Sequence, residues 1–337
     1  MSVFDKLSKD EDFLQLFRAT ASKTRSAREE AGSYFASSLE LPLRKTVLST
    51  DVVNKYGIYE VVETFGRDFK YPLDLIAPGQ EDEYVAYSIP NHGYIPQRRV
   101  EASDIMIPQF KIGNSIDCLL EHAEEGNPWF VRRMMEVYEA GFTTKVNADA
   151  WAVILAVGLD RNVVVYDADA SAGQFTRRLI SLANTTMARN GGGNGGMGAG
   201  RLTDIFISLE GMEDIRNWKL DQVPDDVRSQ IYYAKDGDNA ISMIHDVRIH
   251  PMYELGENQK FQNYYTNVLG GSIQGSDVEL AVGLDLSQSD SFIMPVKDMP
   301  QTFDDPTLHR EQKMGVYGWM NAGYGALDGR RVILLSY

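Results

Sequence analysis

Within GGGNGGMGAG, residues 191–200, Gly193, Gly195 and Gly198 satisfy G-x-G-x-x-G. In a dinucleotide site that spacing lets backbone amides approach a pyrophosphate. It works only where the loop leaves a strand and opens a helix, whose N-terminus favours the anion. The order here is the reverse. SAGQFTRRLISLANTTMARN ahead of the loop has helical periodicity, whereas Ile205 to Leu209 behind it reads as a short buried strand leading into a second helix. A phosphate loop ending in G-K-[ST] also fails, since Gly200 is followed by Arg201 and Leu202. The glycines predict a mobile surface loop that holds no nucleotide.

The other residues able to do chemistry are scattered. His245 and His250 in IHDVRIHP are five apart on an expected strand, so they point to opposite faces and cannot share a metal ion. His92 falls in a turn, His122 on an expected helix beside Glu121 and Glu124, and His309 near the start of the last segment. Each reads as a surface or satisfied core residue. Asp167, Asp169 and Ser171 open like a calcium loop, but Gly173 falls one place late and Arg178 stands where a bidentate Glu is required. KDGDNA departs from that pattern sooner. No G-x-S-x-G occurs, and no Ser/His/Asp arrangement marks a triad. QRRVE and TRRLI each carry a lone pair of arginines, without the interleaved aromatics of a single-strand nucleic-acid surface. Cys118 is the only cysteine, so neither an intrachain disulfide nor a thiolate cluster can form. Within IDCLLEHA it reads as a packed thiol on a helical apolar face. No catalytic, cofactor-binding or metal-ligating residue is assigned, no cofactor is expected, and the chain does not read as an enzyme.

The elements carrying these residues follow from periodicity and breakers. Asp10 to Ser37 is patterned as an amphipathic helix, with Phe13 and Phe17 one turn apart, and Pro42 is expected to end it. Residues 47–65 carry β-branched runs that suit a strand or short helix. Between Gly66 and Gly113 stand Pro72, Pro78, Pro90, Pro96 and Pro108 among short apolar–polar alternations, which suits a two-stranded arm rather than central strands. A lone hairpin buries too little to be stable, so Tyr84, Tyr87 and Ile95 are expected to lie on an adjacent subunit. Asn127 caps and Pro128 opens the longest helix, which Gly141 and the following TTKV are expected to bend or split. Beyond residue 161 strands (NVVVYDA, DIFISL, VELAVGL, SFIMPV) are interleaved with helices. The closing segment joins two apolar stretches through Gly323, Gly325 and Gly329.

At 337 residues the chain is long enough for two domains, and 43% hydrophobic with 24% charged residues is ordinary globular composition. A net charge of −15 argues against a surface that grips nucleic acid through phosphates. Residues 1–45 hold eight Lys/Arg and seven Asp/Glu, so the acidity belongs to the body, and a near-neutral arm suits packing on other copies of the chain. The start, MSVFDKLSKDEDF, lacks the apolar region of a secretion signal, and no apolar run approaches membrane-spanning length. A reducing, aqueous compartment and no membrane contact are expected.

In this order of parts the chain resembles the major capsid proteins of tailed double-stranded DNA bacteriophages, with their Hong Kong 97-type fold. DIFISLEGMEDIRNW is similar to the family's axial strand-then-helix unit, and HREQKMGVYGWMNAGYGALDGRRVILL to its final strands. The resemblance implies an α+β fold with an N-terminal arm (1–50) and a peripheral domain containing the long spine helix (51–65 and 113–160). It also implies an extended β-hairpin loop (66–112), an axial α/β domain (161–300) and C-terminal strands returning to both domains (301–337). The function implied is structural: self-assembly as hexamers and pentamers into an icosahedral phage head enclosing double-stranded DNA without sequence-specific binding. Portal, scaffold and cement proteins are the implied partners, and the location is the virion, after assembly in the host bacterial cytoplasm. Family members that cross-link their shells use a lysine on the extended loop, and no lysine occurs between Tyr71 and Phe110 here, so a covalent shell is not expected. The arm, too short for the cleaved scaffold-like domain of some members, is expected to stay attached and clasp a neighbouring copy. Two other classes compete: an encapsulin-like protein nanocompartment, whose members tend to be shorter and lack so long an arm, and a soluble hydrolase built from scattered Asp, Glu and His.

Overall fold

In a computed structural model the chain is described over residues 11–22, 24–66, 68–73, 103–190, 200–218, 242–274, 277–287 and 291–337. In chain order the elements begin with α1 Glu11–Ala19, α2 Arg25–Leu48, β1 Glu60–Glu63, β2 Asp68–Leu73, β3 Ser103–Pro108 and β4 Phe110–Leu119. There follow α3 Leu120–Glu125, α4 Pro128–Arg161, β5 Val164–Tyr166, α5 Arg177–Asn190, β6 Asp204–Ile207 and α6 Leu209–Asn217. The remainder comprises β7 Ser242–Ile244, β8 Val247–Pro251, α7 Lys260–Asn263, β9 Leu280–Leu284, β10 Phe292–Asp304, β11 Lys313–Ala322, β12 Gly325–Ala326 and β13 Val332–Ser336. Two compact units result: residues 1–70, 106–150 and 293–324 form the first, and 71–105, 151–292 and 325–337 the second. β2 and β3 pair with each other as a two-stranded sheet at the base of the expected hairpin. Tyr84, Tyr87 and Ile95, on which its contact with an adjacent subunit was argued, lie outside the described residues.

The first unit is built on the sheet order β1-β10-β11-β4. β11 and β4 run antiparallel through an unbroken register from Lys313↔Leu119 to Ala322↔Phe110. Period-two alternation along both strands buries Met314, Val316, Met320, Ile112 and Cys118. Cys118 therefore lies on a strand, where a helical face was expected: the alternation of Asn114, Ile116 and Cys118 outweighs the helical run that starts only at Leu120. Burial pushes its thiol up to about 12, with the Asp117 charge adding to the effect, so it is inert at neutral pH. On the opposite face Phe303, Tyr317 and Trp319 stack across β10 and β11, with centroids 4.5–5.8 Å apart. Lys111 Nζ lies 5.6 Å from the Trp319 ring.

The arm departs from expectation in two ways. The amphipathic stretch breaks after Ala19, where Thr20 Oγ1 donates to the Phe17 carbonyl at 2.6 Å. A second helix then runs straight through Pro42 to Leu48. Proline costs about 3 kcal/mol inside a helix, but Leu39, Leu43 and Val47 on either side of it are buried, at about 2 kcal/mol each. Packing wins. The arm also folds on its own chain. Phe13, Phe17, Phe35 and Leu39 are 5% exposed or less, packed with Cys118, Val131, Met134, Met135, Met314 and Val316. The clasp on a neighbouring copy, argued from the cost of leaving these side chains in solvent, loses its reason because the subunit buries them itself.

α4 begins where expected, with Asn127 Oδ1 accepting from the Trp129 amide at 3.0 Å, but it is one continuous helix of 34 residues. Gly141 does not split it. A Cβ at that position would stand 2.2 Å from Asn114 Nδ2, and that same amide donates to the Tyr138 carbonyl at 3.1 Å. The glycine gives a strand side chain access to the helix backbone. Gly318 in β11 has a harder constraint, since a Cβ there would meet Tyr138 Oη at 2.3 Å and the Gln301 carbonyl at 2.6 Å. Because one of these is backbone, Gly318→Ala is expected to cost about 1–3 kcal/mol by overpacking. Thermal unfolding would measure it, and an unchanged midpoint would show that the sheet yields freely.

The second unit has the sheet order β5-β13-β9-β6-β8-β7, with β6–β8 and β13–β5 parallel. β6, β9 and β13 are buried along their whole length, so they read as continuous apolar runs rather than alternations. Ile205, Ile207, Ile249, Ile333 and Leu335 pack with Leu179, Ile180, Ala183 and Met187 of α5 and with Met212 and Ile215 of α6. Phe206, between the two isoleucines of β6, meets Trp151 edge-on at 4.8 Å. The centre of this sheet is thus covered from both sides. No helix among the described residues is long and apolar enough to cross a membrane.

Candidate functional site

Gly193, Gly195 and Gly198 lie outside the described residues, but the flanks of their loop are fixed: it leaves α5 and leads to β6. That is the reverse of the order a pyrophosphate site requires. Asp167 and Asp169 do converge, and Arg178 meets both. Its Nη1 lies 3.3 Å from Asp167 Oδ1 and forms a hydrogen-bonded ion pair with Asp169. Asp167 Oδ2 also accepts from Thr176 Oγ1 at 2.8 Å. The residue that spoils the calcium pattern supplies the positive charge itself. The hydrogen bond to Asp169, with the charges of both aspartates, raises the guanidinium further above its ordinary value.

The histidines stay apart. His92 lies outside the described residues. His122 stacks on Phe130 at 4.5 Å, and His309 falls in the short 3₁₀ helix Pro306–Glu311. His245 is in the β7–β8 turn rather than on a strand, at φ 53°, and its Nε2 accepts from Arg177 Nε at 2.9 Å. Among the described residues no three His, Cys, Asp or Glu side chains are grouped to hold a metal ion.

Two buried polar clusters bracket β6. At its start His250 Nε2 is 2.7 Å from Asp204 Oδ1, and Arg248 Nη2 donates to Asp204 Oδ2 at 2.9 Å. Burial acts most strongly to raise the Asp204 pKa. Hydrogen bonds from His250 and Thr203, with the charges of Arg248 and His250, together outweigh it and hold the carboxyl below its usual range. At the other end Ser208 Oγ accepts from the Gly211 amide at 2.9 Å, capping α6. It also hydrogen-bonds Glu279, and it lies 2.8 Å from Tyr337 Oη. A serine, a histidine and an aspartate therefore all sit near β6. The serine is engaged by a carboxylate and a phenol and the histidine by the aspartate, so no nucleophile–base pair forms among them. These clusters join residues 46, 71 and 129 apart in sequence, a separation no spacing rule reads.

A depression of about 330 Å³ lies around Phe175, lined by Gln174, Thr176, Arg177, Asp214, Asn217 and Trp218. Asp214 Oδ2 accepts from the Phe175 amide at 2.8 Å, and Trp218 Nε1 donates to the Phe175 carbonyl at 3.0 Å. Asp214 and Trp218 thus hold the loop at Phe175, while Thr176 and Arg177 turn to Asp167 and His245.

No protein-family model and no curated protein sequence matches the chain. Solved structures do. A chain of Microbacterium phage Oxtober96 is 9% identical, with 83% of this chain and 89% of that one covered at a TM-score of 0.54. The capsid of Myoviridae Phage XM1 gives 10% identity, 85% and 92% coverage and a TM-score of 0.52. The capsid of a native GTA particle gives 11%, 87%, 90% and 0.50. The chain has the Hong Kong 97-type capsid fold. The α+β reading of the sequence and its family resemblance hold at the level of this fold. At about one residue in ten shared, the Hong Kong 97-type likeness is carried by the order and length of elements, and it transfers no residue's role.

Proposed function

We propose that this chain is the major capsid protein of a tailed, double-stranded DNA phage. Its copies assemble as hexamers and pentamers into an icosahedral head. The observation that carries the reading is a fold shared with capsid chains over 85–87% of this chain and 90–92% of theirs. In this reading residues 1–50 are the arm, 51–65 and 113–160 the peripheral domain, 66–112 the extended loop, 161–300 the axial domain and 301–337 the returning strands. Many modest contacts per copy, summed over a closed lattice, would hold the shell. An acidic chain of net charge −15 leaves enclosed DNA free to slide. A portal, a scaffold and a cement protein would complete the head.

Electron microscopy of the purified protein tests this: closed shells with five- and six-fold capsomers are expected, eluting ahead of any ordinary enzyme. A species that stays at 37.8 kDa under assembly conditions would refute it. Particles holding a cargo protein and no DNA would point instead to a nanocompartment. The shell should also be non-covalent, because no lysine lies between Tyr71 and Phe110 and Cys118 is buried. Particles boiled in denaturant and reductant should run as one band at 37.8 kDa, and a resistant ladder would contradict this.

A further inference from the structure

We propose that Ser208, Glu279 and Tyr337 form a proton-sensitive tie in the second unit, tight while the Glu279 carboxyl is neutral and slackened when it ionises. Three segments meet there: Ser208 follows β6, Glu279 precedes β9 and Tyr337 follows β13. All three residues are buried, Ser208 fully and Glu279 to 6% exposure. The backbone around the carboxyl is locked, with the Glu279 amide donating to the Tyr337 carbonyl at 3.0 Å and the return bond at 3.1 Å. Gln262 of α7 adds two more bonds beside it, donating to the Val278 carbonyl at 2.6 Å and accepting from the Leu280 amide at 3.2 Å. The side-chain partners of the carboxyl are the two hydroxyls of Ser208 and Tyr337, and the charged groups acting on it are Glu210 and Asp214 of α6, both acidic. Ionisation therefore buries a negative charge beside two hydroxyl donors, with the exposed Glu210 and the half-buried Asp214 adding repulsion from the α6 side. Burial is the strongest influence and raises the Glu279 pKa, the two carboxylates add to it, and the hydroxyls offset it only in part.

The sign follows. A carboxyl that binds its proton more tightly folded than unfolded stabilises fully below the ordinary carboxylate range, and that stabilisation is lost as pH rises through the folded value. This is opposite to ordinary acid denaturation, so the two are separable. Urea unfolding of the full-length protein, followed by tryptophan fluorescence from the ordinary carboxylate range at about pH 4 up to about pH 8, should show the wild type losing stability relative to Glu279→Gln. The unfolding constant should rise by up to about tenfold per pH unit within the titration. Tyr337→Phe removes a donor from the anion and should extend the loss to higher pH. If Glu279→Gln fails to fold, the Tyr337→Phe comparison decides alone. A Glu279→Gln protein with the wild-type pH dependence, or a Tyr337→Phe loss that ends at the wild-type pH, would overturn the proposal. Neither measurement requires a shell to form.

Discussion

A chain lacking residues 2–40 is expected to lose the folded subunit itself, and not only its assembly. Phe13, Phe17, Phe35 and Leu39 would go together, and each is almost wholly buried in the first unit. At about 2 kcal/mol for each large apolar side chain, four of them rival the ~5–15 kcal/mol that holds a typical domain together. The ring contacts of Phe35 with Phe13 and Phe17, at 5.2 and 5.4 Å, would be lost as well. The face left behind, with Val131, Met134, Met314 and Val316, would be open to water. Insoluble protein, or soluble protein without a cooperative unfolding transition, is the expected outcome. Well-folded capsomers from the truncated chain would show that the arm is an accessory after all.

Asp204→Ala should cost about 1.5–3 kcal/mol, because it removes a buried carboxylate from its hydrogen bonds with the buried His250 and the half-exposed Arg248. The carboxylate is 1% exposed and faces His250 at 2.7 Å and Arg248 at 2.9 Å. Asp204→Asn keeps the shape and should cost less. With its pKa held below the usual range, Asp204 contributes fully above that range, and the contribution is lost as pH falls through the lowered folded value. The gap between wild type and Asp204→Asn should therefore narrow in acid. Chemical denaturation at neutral and acidic pH measures both effects. A gap that widens on acidification would mean that another group carries the dependence.

What could be read from the chain was what local chemistry dictates. The runs DIFI, LAVGL and VILLS mark strands buried on both faces, and Asn127-Pro128 marks the start of the long helix. What could not be read depended on partners distant in sequence. Pro42 looks like a terminator until Leu39, Leu43 and Val47 are seen to be buried around it. Gly141 looks like a break until Asn114 arrives from β4. The arm looked in need of a neighbour because its own chain's apolar face, assembled from β4, β11 and α4, is invisible in one dimension. The Ser208–Glu279–Tyr337 cluster had no signal at all, since each residue is unremarkable in its own segment.

The Asp167–Arg178–Asp169 arrangement has a consequence for the medium. A loop that borrows calcium from solution is only as ordered as the local ion supply permits, and chelation dissolves it. Here the counter-ion is tethered eleven residues downstream of Asp167 and cannot diffuse away or be sequestered. Its local concentration is set by a short stretch of chain rather than by the surroundings. The loop's shape should therefore be indifferent to a chelator, although salt screens the exposed Arg178–Asp169 pair.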